Sequence, residues 1–217
     1  MKKNVLIVGF SSTFGISLAK AIKEDKGYVY GLDLKEDYEG ICDRAFRFDM
    51  EQFASDADYR IRFTQIFAEV IPRLDLLIIC SESEGAKSLK DLRLDGWHAS
   101  LNKTVTGPLL LIKLFLVSLK KSKGVVLLIN TLEQPVDEKL NIAFSAANQA
   151  IRGLIKSLAI DLNDEVKLLS ISLEREGPSN EEELEKCKQE AAALALYLTN
   201  AKHTLTNGAD IILKCRG

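Results

Sequence analysis

The residues Gly9-Phe10-Ser11-Ser12-Thr13-Phe14-Gly15 stand between an apolar run, Val5-Leu6-Ile7-Val8, and a stretch with helical spacing. At such a junction the chain must turn sharply, and its backbone can come close to a pyrophosphate. Glycine permits both, and a helix start offers free N–H groups to an anion. Asp33 stands at the end of the next apolar run. A carboxylate there accepts hydrogen bonds from both ribose hydroxyls of an adenosine and repels a 2′-phosphate, which favours NAD over NADP. Gly9, Ser11, Ser12, Gly15 and Asp33 are the candidate nucleotide-binding residues. The same residues also suit a tight turn followed by a solvated Asp, and two glycines alone do not separate the readings.

Such a turn needs a strand before it and a helix after it, and apolar runs alternate with helical patterns along the whole chain. Strands are predicted over 4–8, 28–32, 44–48, 74–80, 124–130, 166–173 and 209–213. Helices are predicted over 16–26, 59–71, 95–120, 142–163 and 181–198, with Pro108 bending or breaking the third. Strands this apolar are buried on both faces, and their alternation with helices implies a parallel sheet. The expected fold is α/β: one domain over residues 1–217, a Rossmann-like doubly wound parallel sheet of about seven strands with helices on both faces.

Composition narrows the function classes. At 217 residues the chain buries roughly 70% of its extended surface, enough for one core and little more. Its 29 basic and 31 acidic residues leave a formal charge of −2, so no global positive field exists to hold nucleic acid. The start, Met1-Lys2-Lys3, meets Gly9 after four apolar residues, shorter than a signal peptide's apolar region. Leu109 to Leu119 is the nearest approach to a membrane span, and Lys113 interrupts it. No membrane partner is expected. Cys42, Cys80, Cys187 and Cys215 form no C-x-x-C pair, and with His98 and His203 they assemble no zinc spacing. The expectation is no metal, four reduced thiols and a cytoplasmic location.

In this order and over nearly its whole length, the chain resembles the short-chain dehydrogenase/reductase family. Val8–Gly15 is similar to that family's T-G-x-x-x-G-x-G turn, with Thr13 in place of the middle glycine. Asp49-Met50 resembles the Asp-Val pair that meets the adenine, which adds Asp49 to the cofactor-binding candidates. Leu74–Ile78 resembles the run before the family's N-N-A-G, and Trp97–Gly107 the helix ending N-x-x-G. Phe144–Asp161 resembles the Y-x-x-x-K helix, and Thr206–Gly217 the closing strand. The resemblance implies NAD as cofactor and a homodimer or homotetramer built on two long helices.

The chemistry departs from the pattern. The family's tyrosine protonates a carbonyl as hydride arrives, and its lysine lowers the tyrosine pKa from about 10. The matching positions are Phe144, which has no proton to give, and Asn148, which has no charge. The wider spacing of enoyl reductases would place the acid at Asn141. The family's serine aligns with Thr131, which can still donate, and its helix asparagine with Thr104. N-N-A-G becomes Ile79-Cys80-Ser81-Glu82, where Glu82 adds bulk and charge, and the segment 174–181 is short for a substrate lid. The expectation is a family homologue without ordinary oxidoreductase activity, acting as a nucleotide-binding, regulatory or structural subunit, with NAD binding weak or lost. An NAD(H)-dependent oxidoreductase with an atypical site, using Thr131 and water, is the alternative. A silent partner to an intact family member is a third reading.

Ala147, Ile151, Leu154, Ile155 and Leu158 are expected to exceed what one core can cover, which argues for self-association; helices covered only by their own sheet are the competing reading. The run Lys120-Lys121-Ser122-Lys123 suits a solvated helix end.

Overall fold

The computed structural model describes residues 2–34, 40–81, 89–132, 142–163, 165–176, 181–200 and 205–216. Seven strands run in chain order: β1 Asn4–Val8, β2 Tyr28–Asp33, β3 Arg44–Arg47, β4 Leu76–Ser81, β5 Val125–Leu132, β6 Lys167–Glu176 and β7 Ala209–Arg216. They form one sheet in the order β3-β2-β1-β4-β5-β6-β7, and every neighbouring pair is parallel. The order reverses between β1 and β4. In open α/β sheets that reversal leaves a crevice at the carboxyl ends of the strands.

Alternate residues of each strand serve opposite faces. Leu6, Val8, Leu77, Ile79, Val126, Leu128 and Leu168 share one cluster with Phe63, Phe67, Phe115, Ile151 and Ile155. These come from α3 Ala57–Val70, α5 Gly107–Ser122 and α6 Ile142–Leu162. Val5, Ile7, Ile78, Leu127, Ile129 and Ile171 share the other with Leu18, Ile22, Ala191 and Ala195, from α1 Thr13–Glu24 and α7 Glu181–Asn200. Helices therefore cover both faces, as the doubly wound reading requires.

Three features differ from expectation. A short helix, α2 Met50–Ser55, precedes α3, with Asp49 and Asp56 as the two N-caps. The long helix predicted over 95–120 is α4 Leu94–Leu101, a π-helical turn Asn102–Thr106, and α5. The break comes before Pro108, at the turn where Gly107 N–H reaches back five residues to Asn102 O. Pro108 follows directly in α5, and the helical backbone runs on through this point, with Thr106 and Gly107 both in the right-handed region. By length and composition Leu94–Ser122 could cross a membrane, but Leu111, Ile112, Phe115 and Leu119 are buried against the sheet. Thirdly, Cys187 on α7 is disulfide-bonded, while Cys42 and Cys80 are free thiols. This corrects the expectation of four thiols.

The basic run behaves as a helix end. Lys120 pairs with Glu165, Lys121 Nζ donates to Pro72 O, and Lys123 caps α5 in the left-handed conformation. The core argument for self-association fails in part. Ala147, Ile151 and Ile155 are fully buried within the chain, and Leu154 and Leu158 pack against the same cluster. What α5 and α6 leave exposed is Val117 and Ile160.

Candidate nucleotide-binding site

The turn after β1 is built on its own hydrogen bonds. Gly9 N–H donates to Leu32 O at 2.9 Å, which ties the turn to the end of β2. Ser12 is the N-cap of α1: its Oγ accepts from Gly15 N–H at 3.1 Å and donates to Gly9 O at 2.8 Å. Both glycines are required. Gly9 has φ +75°, and a Cβ there would stand 2.8 Å from Cys80 O; one on Gly15 would stand 2.6 Å from Phe10 Cα. The turn therefore lies tightly against β4, at the point where the strand order reverses. The other N–H groups of the first turn of α1 are the usual partners of an anion at a helix start.

Asp33 ends β2 and is fixed by two backbone donors. Ser11 N–H reaches Oδ2 at 2.9 Å and Leu34 N–H reaches Oδ1 at 2.7 Å. Each carboxylate oxygen keeps a further lone pair, so the geometry aims the group without exhausting it. Asp49 is held in the same way. Its Oδ1 accepts from Glu51 and Gln52 N–H at 2.9 and 3.0 Å, and its own N–H donates to the Tyr59 hydroxyl at 3.1 Å. Beneath Asp49, Phe48, Phe53 and Phe63 pack ring on ring and fix the start of α2.

These residues meet in one cleft of about 350 Å³, lined by Gly9, Ser11, Ser12, Asp33, Asp49 and Met50, with Leu34, Glu51, Cys80 and Lys103 completing it. The sequence-predicted nucleotide residues are thus brought together, save Gly15, which stands behind the turn. Glu51 and Lys103 were not foreseen; Cys80 stands in the run matched to the family's N-N-A-G. For Glu51 the signal was legible: an Asp N-cap with an acidic residue in the next turn marks a helix start. Lys103, on the π-helical turn, gave no signal. The residues present fit the adenosine half of a dinucleotide: a close-approach glycine turn, and two fixed carboxylates with spare acceptor capacity.

The positions matched to the catalytic pair lie on α6, outside the lining of this cleft. Phe144 and Asn148 lie on the inner face of α6, 3% and 2% exposed. Thr104, on the π-helical turn, is fully buried, and its Oγ1 has no hydrogen-bond partner; nor has the buried side-chain amide of Asn130 on β5. The backbone of Thr131 pairs in β5 opposite Leu173 of β6. The side chain of Thr131, together with residues Glu82, Asn141 and His203, lies outside the described residues. His98 is exposed at the end of α4.

The profile of the "short chain dehydrogenase" family matches residues 3–173. The chain belongs to the short-chain dehydrogenase family. No curated protein matches it in sequence. Among solved structures it resembles an apo SCOR enzyme from Clostridium thermocellum, at 20% identity and TM-score 0.79, over 99% of this chain and 92% of that one. It also resembles the aldohexose dehydrogenase of Thermoplasma acidophilum, at 14% identity and TM-score 0.81, over 99% and 93%. A short chain dehydrogenase from Leptospira borgpetersenii with bound NAD+ matches at 15% identity and TM-score 0.80, over 98% and 91%. At such identities the likeness establishes the short-chain dehydrogenase fold and leaves the chemistry to be argued from this chain's own residues.

Proposed function

We propose that this short-chain dehydrogenase homologue binds an adenosine dinucleotide, NAD in preference to NADP, and does not carry out the family's ordinary oxidoreductase reaction. It acts as a binding, regulatory or structural subunit. The supporting observation is a contrast within the chain. Asp33 and Asp49 are oriented with acceptor capacity to spare, while the α6 positions matched to the catalytic pair are Phe144 and Asn148, both buried. NAD, when bound, supplies a hydride acceptor or donor. Gly9, Ser11, Ser12 and Asp33 would bind and orient its adenosine end. Neither Phe144 nor Asn148 can give a proton to a developing alkoxide, and general acid catalysis is a factor of about 10²–10⁴.

The test is turnover by the purified protein with NADH or NADPH and a panel of carbonyl compounds. The expected result is a background rate. A robust rate that survives Thr131→Ala would overturn the proposal. The names of its structural neighbours support the second reading, an NAD(H)-dependent oxidoreductase with an atypical site; a rate abolished by Thr131→Ala would establish it. Calorimetric titration tests the binding half separately: NAD is expected to bind and NADP to bind more weakly, and no heat at millimolar NAD would end it.

The proposal extends to self-association as a homodimer or homotetramer through α5 and α6, where Val117 and Ile160 are exposed. An intact family member is the other candidate partner. A monomer mass by light scattering at micromolar concentration, with no co-purifying relative, would remove both.

A further inference from the structure

Asn130, near the carboxyl end of β5, is 1% exposed, and neither its Oδ1 nor its Nδ2 has a hydrogen-bond partner among the described residues. Exchanging the two ends of the amide brings no relief, since both are unmet. A side-chain amide carries two donors and two acceptor lone pairs, and leaving them unmet in the interior is costly. Side chains alternate along a strand, so Asn130 faces the same way as Val126 and Leu128. Those two residues pack in one cluster with Ile151 and Ile155 of α6. The amide therefore lies in the layer between the sheet and the helices on that face.

Its neighbour in the sheet is also polar. Asn130 is in register with Ser172 of β6, and register partners on parallel strands share a face. Ser172 is fully buried. Its hydroxyl donates its one proton to Asp210 Oδ1 at 2.9 Å, so towards Asn130 it can only accept. Asp210 is in turn paired with Arg152 of α6. Neighbouring strands stand about 4.8 Å apart. One water making two bonds of about 2.8 Å at a tetrahedral angle spans about 4.6 Å. The interval between β5 and β6 is thus the span of a water bridge.

We infer that Asn130 anchors an internal water site between β5, β6 and α6. One water donates to Ser172 Oγ and to Asn130 Oδ1, and Nδ2 donates to a second. Water offers both donors and acceptors, which an amide unmet at both ends requires, and buried water is held by such polar groups. The hydrogen-bonded set that holds α6 through Asp210 and Arg152 thereby reaches across β6 to β5. The inference is independent of the nucleotide reading and stands or falls without it.

The test uses the whole chain. A high-resolution crystal structure should show ordered water within hydrogen-bond distance of both Asn130 Oδ1 and Ser172 Oγ. Magnetic relaxation dispersion of the water signal counts long-lived internal waters in solution. Asn130→Leu keeps the volume and removes both polar ends, and it should lose at least one of them. Ser172→Ala should lose the bridging water. An Asn130 amide bonded directly to protein atoms, with no water beside it, would overturn the inference. So would an Asn130→Leu variant that keeps every long-lived water of the wild type. If Asn130→Leu does not fold, Ser172→Ala and the wild-type crystal structure decide by themselves.

Discussion

The two halves of the sheet use their polar residues in opposite ways. At the end of β1 and β2, the carboxylates of Asp33 and Asp49 are held by backbone N–H groups and retain unfilled acceptor positions. At the start of β7, where it lies beside β6, the polar groups bond within the fold. Asp210 Oδ1 accepts from Ser170 and Ser172 hydroxyls at 2.7 and 2.9 Å, and its Oδ2 pairs with Arg152 of α6 at 2.6 Å. Asn207 likewise takes Leu168 N–H on Oδ1 and donates Nδ2 to the carbonyls of Ala159, Asn163 and Val166. One set leaves acceptor positions open; the other fastens α6 to the amino-terminal edge of the sheet.

The largest effect that would sharpen this contrast is expected at Asp210. Its side chain is 8% exposed, so Asp210→Ala strands Arg152 and two buried hydroxyls. Breaking one side of a buried pair costs about 3 kcal/mol, to be read by urea denaturation. Nucleotide affinity should stay within about twofold in the folded variant. A large loss of affinity would mean that the two halves are coupled and that the division is false.

Gly9→Ala comes next and acts on the opposite half. The new Cβ meets Cys80 O, and the backbone is held at φ +75°. Overpacking of this kind costs about 1–3 kcal/mol, measured by the same denaturation, and nucleotide binding should be lost with it because the turn must move. A smaller effect, about 1 kcal/mol, is expected for Asp49→Ala, which removes the N-cap of α2. Asp49→Asn keeps an acceptor at the cap and should recover most of that stability. If Asn also recovers nucleotide affinity in full, the negative charge of Asp49 plays no part in the site.

The fold was legible in the sequence because its signals are local. The apolar runs of β1 and β4 are buried on both faces, as continuous apolar runs before turn signals imply. The glycine turn and Asp33 were legible for the same reason: each residue's type matches a backbone need at its own position. Lys103, on the π-helical turn, was not, since no spacing rule announces its place in the cleft. The inner face of α6 was misjudged in part. Ala147, Ile151 and Ile155 fit beneath the chain's own helix layer because α6 lies along the sheet for its full length.

The smallest effect concerns reactivity at the nucleotide half. Cys42 is a free thiol, half-buried behind β2. Burial pushes its pKa up to about 11, against the opposing pull of Lys23, with the Asp43 and Asp33 carboxylates adding to the rise. The thiolate is the reactive form, so at pH 8 only about one molecule in a thousand presents it. Alkylation of Cys42 by iodoacetamide should therefore be slow near neutrality and should accelerate about tenfold per pH unit between pH 8 and 10, followed by mass spectrometry of the peptide that contains it. Asp33→Asn should lower the Cys42 pKa and speed alkylation at fixed pH, because one of the charges that disfavours the thiolate is gone. A rate already at its plateau by pH 8 would mean that Cys42 is not buried as described, and that the rear wall of the nucleotide half is open to solvent.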